Sequence, residues 1–277
     1  MTPYQRRYGH DVPNPAAQPN EFVTNLLKRN SVHTYNGMPF EDGLLELLIA
    51  AAQSAPTSGM LQTWSVIALT TPEEKNKLVN TERTLNIIGG TDSHNLNAIN
   101  TSSVVLIWLA DLSRLDFVLK NIDTSDAIRA QITKTEYHLK AIIDATIAAQ
   151  TFFMAAESMG IAGTYCGAIR QLPIKLFRQE FNLPKYTFPV FGTIHGYETG
   201  PPVRRVRPRL PIDFMLHKGS YCQLHNLNQF DEYNKVHSQR SKADVSTFEK
   251  RILDRLFPSD AKDNVSNTLK QMGFEFN

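Results

Sequence analysis

Two groups of basic and hydroxyl-bearing residues give this sequence its most pronounced chemical character. Arg29, Asn30, Ser31 and His33 follow a short apolar segment, and Arg204, Arg205, Arg207 and Arg209 punctuate the proline-rich strip PPVRRVRPRLP at 201–211. Guanidinium forks grip phosphate oxygens bidentately, and a phosphate monoester carries about −1.5 to −2 charges at neutral pH. Pro208 and Pro211 stiffen the strip, so its arginines lose little freedom on meeting an anion. The same residues also read as a solvated basic surface, which is what a run of charge commonly is. A third candidate is the loop at 57–62, where Thr57, Ser58 and Gln62 offer donors to a polyol or a heterocycle edge, or simply make a turn. The fourth is GIAGTYCGAIR at 160–170. Its small residues let backbone approach a flat ligand, or let a helix pack closely on a strand.

Other chemistries lack their residues. No GxGxxG follows a strand, no GxxxxGK[ST] loop is present, and neither a GxSxG elbow nor an HExxH pair occurs. The eight histidines show no metal-ligand spacing, so no metal site and no protein nucleophile are expected. Cys166 and Cys222 are the only cysteines, without a CxxC partner, which suits a reducing compartment and ordinary thiols. With 29 Lys plus Arg against 27 Asp plus Glu, the chain has no dense basic excess for nucleic acid. The apolar run at 104–110 falls far short of the ~20 residues that cross a bilayer, and the N-terminus has no apolar signal core. A folded protein of the cytoplasm, touching neither membrane nor nucleic acid, is expected.

Certain elements must position these groups. Residues 1–20 contain four prolines and few apolar anchors and read as an extended arm; a single domain is expected over 21–277, ending in a helical extension. Helices are predicted at 22–27, 73–78, 174–181 and 245–257. A further one is predicted where Leu44, Leu47, Leu48, Ala51, Ala52 and Ala55 recur at helical spacing, stopping at Pro56. The stretch 136–159 predicts a helix of about six turns, apolar on so many sides that it needs cover from several directions. Short apolar stretches at 64–69, 104–110, 163–165 and 188–197 predict strands, the second of them central. Residues 86–100 are expected to form a polar loop. Helices and strands alternate irregularly, which favours α+β.

The order of these segments resembles the nitroreductase-like FMN flavoprotein family, in particular its larger NADPH-dependent branch of nitroreductases and flavin reductases. That family opens on a basic-basic-Ser-x-basic motif, here Arg29-Asn30-Ser31-Val32-His33. A Ser-rich loop ending Leu-Gln follows, here 57–62, then a strand ending Ala110-Asp111 with Ser113-Arg114 behind it. A long helix carries Ala-x-Gln with Ala-Ala-Glu-Ser-x-Gly, here 148–160. Tyr165 to Arg170, Pro189 to Gly192 and Arg207 to Pro211 complete the series.

The resemblance implies an α+β fold with a central, mainly antiparallel sheet flanked by helices, in an intertwined homodimer that holds FMN noncovalently. It implies that Arg29, Ser31, Arg207 and Arg209 hold the FMN phosphate and that Thr57 and Ser58 touch ribityl or ring edge. Asn30, His33 and Gln62 fall within the same cofactor motifs, and Cys166, Gly167 and Ala168 would present backbone to the flavin N5 side. Asn30 and His33 stand where the family usually has a basic residue, and Ala168 replaces a second glycine. A cation near the flavin pyrimidine raises its potential, so a partly charged His33 would leave that potential lower or pH-dependent. Arg240 lies where the NADPH branch keeps an arginine for the 2′-phosphate. The implied activity is hydride transfer from NADPH through flavin N5 to nitroaromatics, quinones or free flavin, with no catalytic residue beyond the cofactor. A different flavin reaction, such as dehalogenation or flavin breakdown, and a cofactor-free dimeric scaffold are the alternatives.

Overall fold

The structure, a computed structural model, describes residues 2–10, 18–200, 206–239, 247–256 and 264–274. In chain order its elements are α1 (Pro3–Tyr8), α2 (Glu21–Lys28), α3 (Leu44–Gln53), β1 (Trp64–Leu69), α4 (Pro72–Asn76), α5 (Glu82–Ile88), α6 (His94–Thr101) and β2 (Val104–Asp111). There follow α7 (Ser113–Asn121), α8 (Asp126–Arg129), α9 (Thr135–Ser158), β3 (Ala162–Cys166), α10 (Ile174–Glu180), β4 (Thr187–Gly196), α11 (Asp231–Ser238), α12 (Phe248–Leu256) and α13 (Asn264–Gln271). The chain divides into two compact units, one of described residues 2–30 and 206–256, the other of 31–200 and 264–274.

The larger unit is built on one antiparallel sheet in the order β1-β2-β4-β3. The apolar run read as a central strand is β2, and all eight of its residues are buried. Such a strand, covered on both faces, needs no polar alternation. Between Trp108 and Leu109 the β2–β4 register shifts, with Trp108 opposite Phe191 and Leu109 opposite Pro189. Proline cannot donate to the ladder, and a bulge is one of the few places in a sheet that accommodates it. The carbonyl of Val190, beside the bulge, accepts from Arg170 Nη1 at 2.7 Å. Two steps along, a Cβ on Gly192 would stand 2.2 Å from Ile169 Cδ1. The Pro-x-Phe-Gly segment and Arg170 therefore have structural work in the sheet.

Helix α9 spans 24 residues and buries Ala141, Asp144, Ala145, Ala148, Ala149, Phe152 and Phe153, among others. Its length could cross a membrane, but it packs against α3, β1 and β2 as a core helix. One stripe is bare: Leu139, Ile143 and Ile147 are 49%, 51% and 37% exposed at i, i+4 and i+8. Within α3, Leu48 and Ala52 are buried, whereas Leu47, expected inward, faces out.

Three local expectations are corrected. Residues 86–100 hold the end of α5 and nearly all of α6 rather than a loop, because Thr81 and Ser93 cap the two helices through Thr84 N and Leu96 N. Pro3–Tyr8 is helical rather than extended, with Pro3 in its first turn and a Thr2–Gln5 capping box. The helix predicted to run to Pro56 ends at Gln53.

His138 on α9 is 2% exposed, with its ring 4.2 Å from that of Phe274 and 5.8 Å from that of Phe188. Burial pushes its pKa down to about 4. An unfolded histidine titrates near ~6.5, so on acidification the unfolded chain gains its proton first. Stability is whole above about pH 6.5 and declines towards about pH 4, by up to about 3 kcal/mol. Denaturant midpoints for wild type and His138→Phe over that window should diverge, the variant losing less; parallel curves would show that His138 has no such effect.

In the smaller unit Phe230 stacks on Phe248 at 5.0 Å, with Phe214 and Tyr233 edge-on to this pair. These aromatics supply a core where α11, α12 and the 206–214 strip have few aliphatic residues.

Candidate functional site

The sequence-derived residues fall in both units, whose boundary lies between Asn30 and Ser31. In the smaller unit Arg29 ends α2, with Asn30 next, and Arg207 and Arg209 stand exposed on the proline strip. Arg209 Nη1 donates to the carbonyls of Arg207 and Pro208 at 3.3 and 3.0 Å, which folds its side chain along its own strand. Arg7, which the sequence did not single out, is buried beside them. Burial first, and then the neighbouring guanidiniums of Arg209 and Arg29, hold the Arg7 pKa below the usual arginine range. Like charges so gathered make the local potential positive. A cavity of about 710 Å³ lies along the same strip, lined by Tyr8, Arg207, Arg209, Tyr233, His237 and Arg251.

In the larger unit Ser31 and His33 lie on a segment fastened to the sheet. Val32 N donates to Gly163 O at 3.1 Å, Asn36 N to Tyr197 O at 2.9 Å, and Tyr35 bridges to Glu198. Asn97 Nδ2 donates to the His33 carbonyl at 2.7 Å, and the His33 ring lies 5.8 Å from that of His94.

The 57–62 loop is held from below by one carboxylate. Asp144, 1% exposed on α9, accepts from Ser58 N at 2.9 Å, from Thr63 N at 3.3 Å and from Thr63 Oγ1 at 2.7 Å. Met60 and Gln62 take φ of 56° and 50°, a left-handed backbone that side chains seldom adopt without outside support. Arg114 supplies more of it, donating to Gln62 O at 2.6 Å and Trp64 O at 2.7 Å while pairing with Asp111 at 3.1 Å. Beside the loop is a cavity of about 840 Å³, lined by Gln53, Thr57, Gln62, Trp64, Ser65 and Arg114 among others. The sequence did not single out Asp144, whose partners lie more than 80 positions away.

At the end of β3, Cys166 is 1% exposed, and burial pushes its thiol pKa up. It is no thiolate nucleophile. Gly167 is exposed, and no described atom lies within 4 Å of where its Cβ would stand, so its backbone is open to a flat ligand. Ala168 follows, half-buried. Arg240, like Arg204 and Arg205, lies outside the described residues.

Residues 26–197 match the model of the Nitroreductase family, and residues 207–277 that of the Nitroreductase family, C-terminal domain. The chain belongs to the nitroreductase family. Among its relatives, a Cr(VI) reductase of a Pseudomonas species is 31% identical, the match covering 91% of this chain and 98% of that one. The FMN reductase (NADPH) of Bacillus subtilis is 26% identical over 77% of this chain and 81% of its own. The solved structure of YcnD, a hypothetical oxidoreductase from Bacillus subtilis, superposes with a TM-score of 0.77 at 26% identity, covering 93% of this chain and 99% of that one.

Proposed function

We propose that this chain is an FMN-dependent NADPH oxidoreductase that passes electrons to a small-molecule acceptor: a nitroaromatic, a quinone or free flavin. The observation that carries the reading is the hydrogen-bonded gathering of Arg7, Arg29 and Arg209, with Arg7 Nη2 on Arg29 O and Arg209 N on Arg7 O, which suits a dianionic phosphate monoester. The family membership and the FMN- and NADPH-dependent relatives support it.

Arg29, Arg207, Arg209 and Ser31 hold the FMN phosphate in this reading, with Asn30 in the same motif. Thr57, Ser58 and Gln62 contact the ribityl chain or ring edge from a loop whose shape Asp144 fixes. The backbone of Cys166, Gly167 and Ala168 lies along the ring. Bound FMN would supply the hydride chemistry between NADPH and the acceptor. The protein's contribution is orientation: charged forks hold the phosphate, the pinned loop limits movement of the ribityl chain, and open backbone at Gly167 permits close approach. His33 tunes the flavin potential, and Arg240 receives the NADPH 2′-phosphate. The bare stripe of Leu139, Ile143 and Ile147 is covered by a second copy in a homodimer. Two free cysteines, Cys166 and Cys222, support a reducing, cytoplasmic setting.

Stopped-flow mixing of the flavin-loaded protein with NADPH and with NADH tests this. Faster bleaching of the flavin band by NADPH is expected, followed by steady turnover with a quinone. Protein that takes up no FMN, or that NADPH leaves oxidised, would refute the reading.

A further inference from the structure

Helix α1 carries one buried charged residue, Arg7. The Arg7 side chain is 7% exposed. Its Nε donates to Leu27 O at 3.1 Å, and its Nη2 to Leu26 O at 3.3 Å and Arg29 O at 3.2 Å. These carbonyls lie in the last turn of α2 and at its cap, where a cation is favoured by the dipole; the Leu26 carbonyl also accepts from Arg29 N. Nη1 reaches the other arginine-bearing segment, Arg207 O, at a longer 3.5 Å. Arg209 N answers by donating to Arg7 O at 3.1 Å.

One guanidinium and its own carbonyl thus bridge the end of α2, which carries Arg29, and the strip that carries Arg207 and Arg209. Among the described residues all four acceptors are neutral carbonyl oxygens, so these bonds do not themselves neutralise the positive charge of Arg7 beside two further arginines. The helix that delivers it is fixed at both ends. A Thr2–Gln5 capping box starts it, and Gly9 ends it in the left-handed region at φ 79°. A Cβ on Gly9 would stand 2.5 Å from Val236 Cγ2 of α11, so helix and neighbour meet at a distance that excludes a side chain.

We propose that Arg7 is a positioning residue for the flavin phosphate: it fastens the two arginine-bearing segments in register and adds a third positive charge behind them, so that α1 is a built-in part of the phosphate site. The proposal rests on the reading that Arg29, Arg207 and Arg209 hold the FMN phosphate. The recognised group is the phosphate monoester itself, so the staple favours FMN over riboflavin, which has the same ring and ribityl chain without the phosphate.

The test measures FMN and riboflavin dissociation constants on stripped wild-type, Arg7→Gln and Arg7→Lys proteins by quenching of flavin fluorescence. Glutamine cannot span the four carbonyls, and FMN binding is expected to weaken by about tenfold to a hundredfold while riboflavin binding holds. Lysine keeps the charge without the fork and should recover part of the loss. In wild-type protein, amide exchange over 3–8 should slow on adding FMN and not on adding riboflavin. Unchanged FMN affinity in Arg7→Gln, or equal loss for both flavins, overturns the staple while the FMN reading stands. Should Arg7→Gln fail to fold, the exchange measurement decides: no FMN-specific slowing over 3–8 overturns the proposal. Wild-type protein that binds neither flavin overturns the FMN reading, and this proposal with it.

Discussion

Replacing Arg29 and Arg209 together with alanine should give protein that purifies without flavin and recovers it only at concentrations far above those the wild type needs. Each charge-assisted contact to a phosphate is worth about 1.5–3 kcal/mol, so losing two raises the FMN dissociation constant by roughly two to four orders of magnitude. Flavin content per chain after gel filtration, followed by titration of stripped protein, measures it. Salt gives an independent check: wild-type affinity should fall as ionic strength rises, and the double variant should respond much less. A double variant that retains one flavin per chain would remove both arginines from the site. Arg207→Ala alone should do less, because it removes one phosphate contact rather than two and alanine retains the backbone carbonyl that accepts from Arg7 and Arg209.

Asp144→Ala should be the most damaging single change in the larger unit. It leaves Ser58 N, Thr63 N and Thr63 Oγ1 without their carboxylate in a buried place. A buried donor stripped of its acceptor costs about 1–3 kcal/mol, and partial relaxation over three of them leaves a loss of about 3–5 kcal/mol. For a protein of this size that is a fall of about 10 °C in melting temperature. Asp144→Asn keeps one carbonyl acceptor and should fall between. Scanning calorimetry ranks the three proteins, and an Asp144→Ala variant melting with the wild type would show that the loop holds itself. Electron transfer should also suffer at temperatures where the variant is still folded, since Met60 and Gln62 lose the anchor that keeps them left-handed.

The parts of the fold that could be read in advance are those where one periodicity dominates. Strand β2 is apolar at every position because both faces are covered, and α9 repeats its alanines and aromatics over 24 residues. Helices α5 and α6 were missed because few of their residues face the core: Thr84, Ile88, Ala98 and Ile99 are buried, and the polar remainder imitates a loop. Their start signals, Thr81 and Ser93, were present but carry little weight beside so weak an apolar face. Helix α1 was hidden by the prolines around it, although Pro3 at a first helical turn is a helix signal in its own right. In the candidate site, arginines and hydroxyls announce themselves by type. The buried groups that hold them, Arg7 and Asp144, could not be found, because pairing over 200 or 86 positions leaves no local pattern. The Pro189–Gly192 segment was legible only through its place in the order of motifs; the bulge and the Ile169 contact supply its physical reason.

Helix α9 presents Asp144 to the 57–63 loop and Leu139, Ile143 and Ile147 to the outside. Ile143 and Asp144 are adjacent in the chain, so whatever packs on the outer flank of α9 rests one residue away from the carboxylate that fixes Ser58 and Thr63.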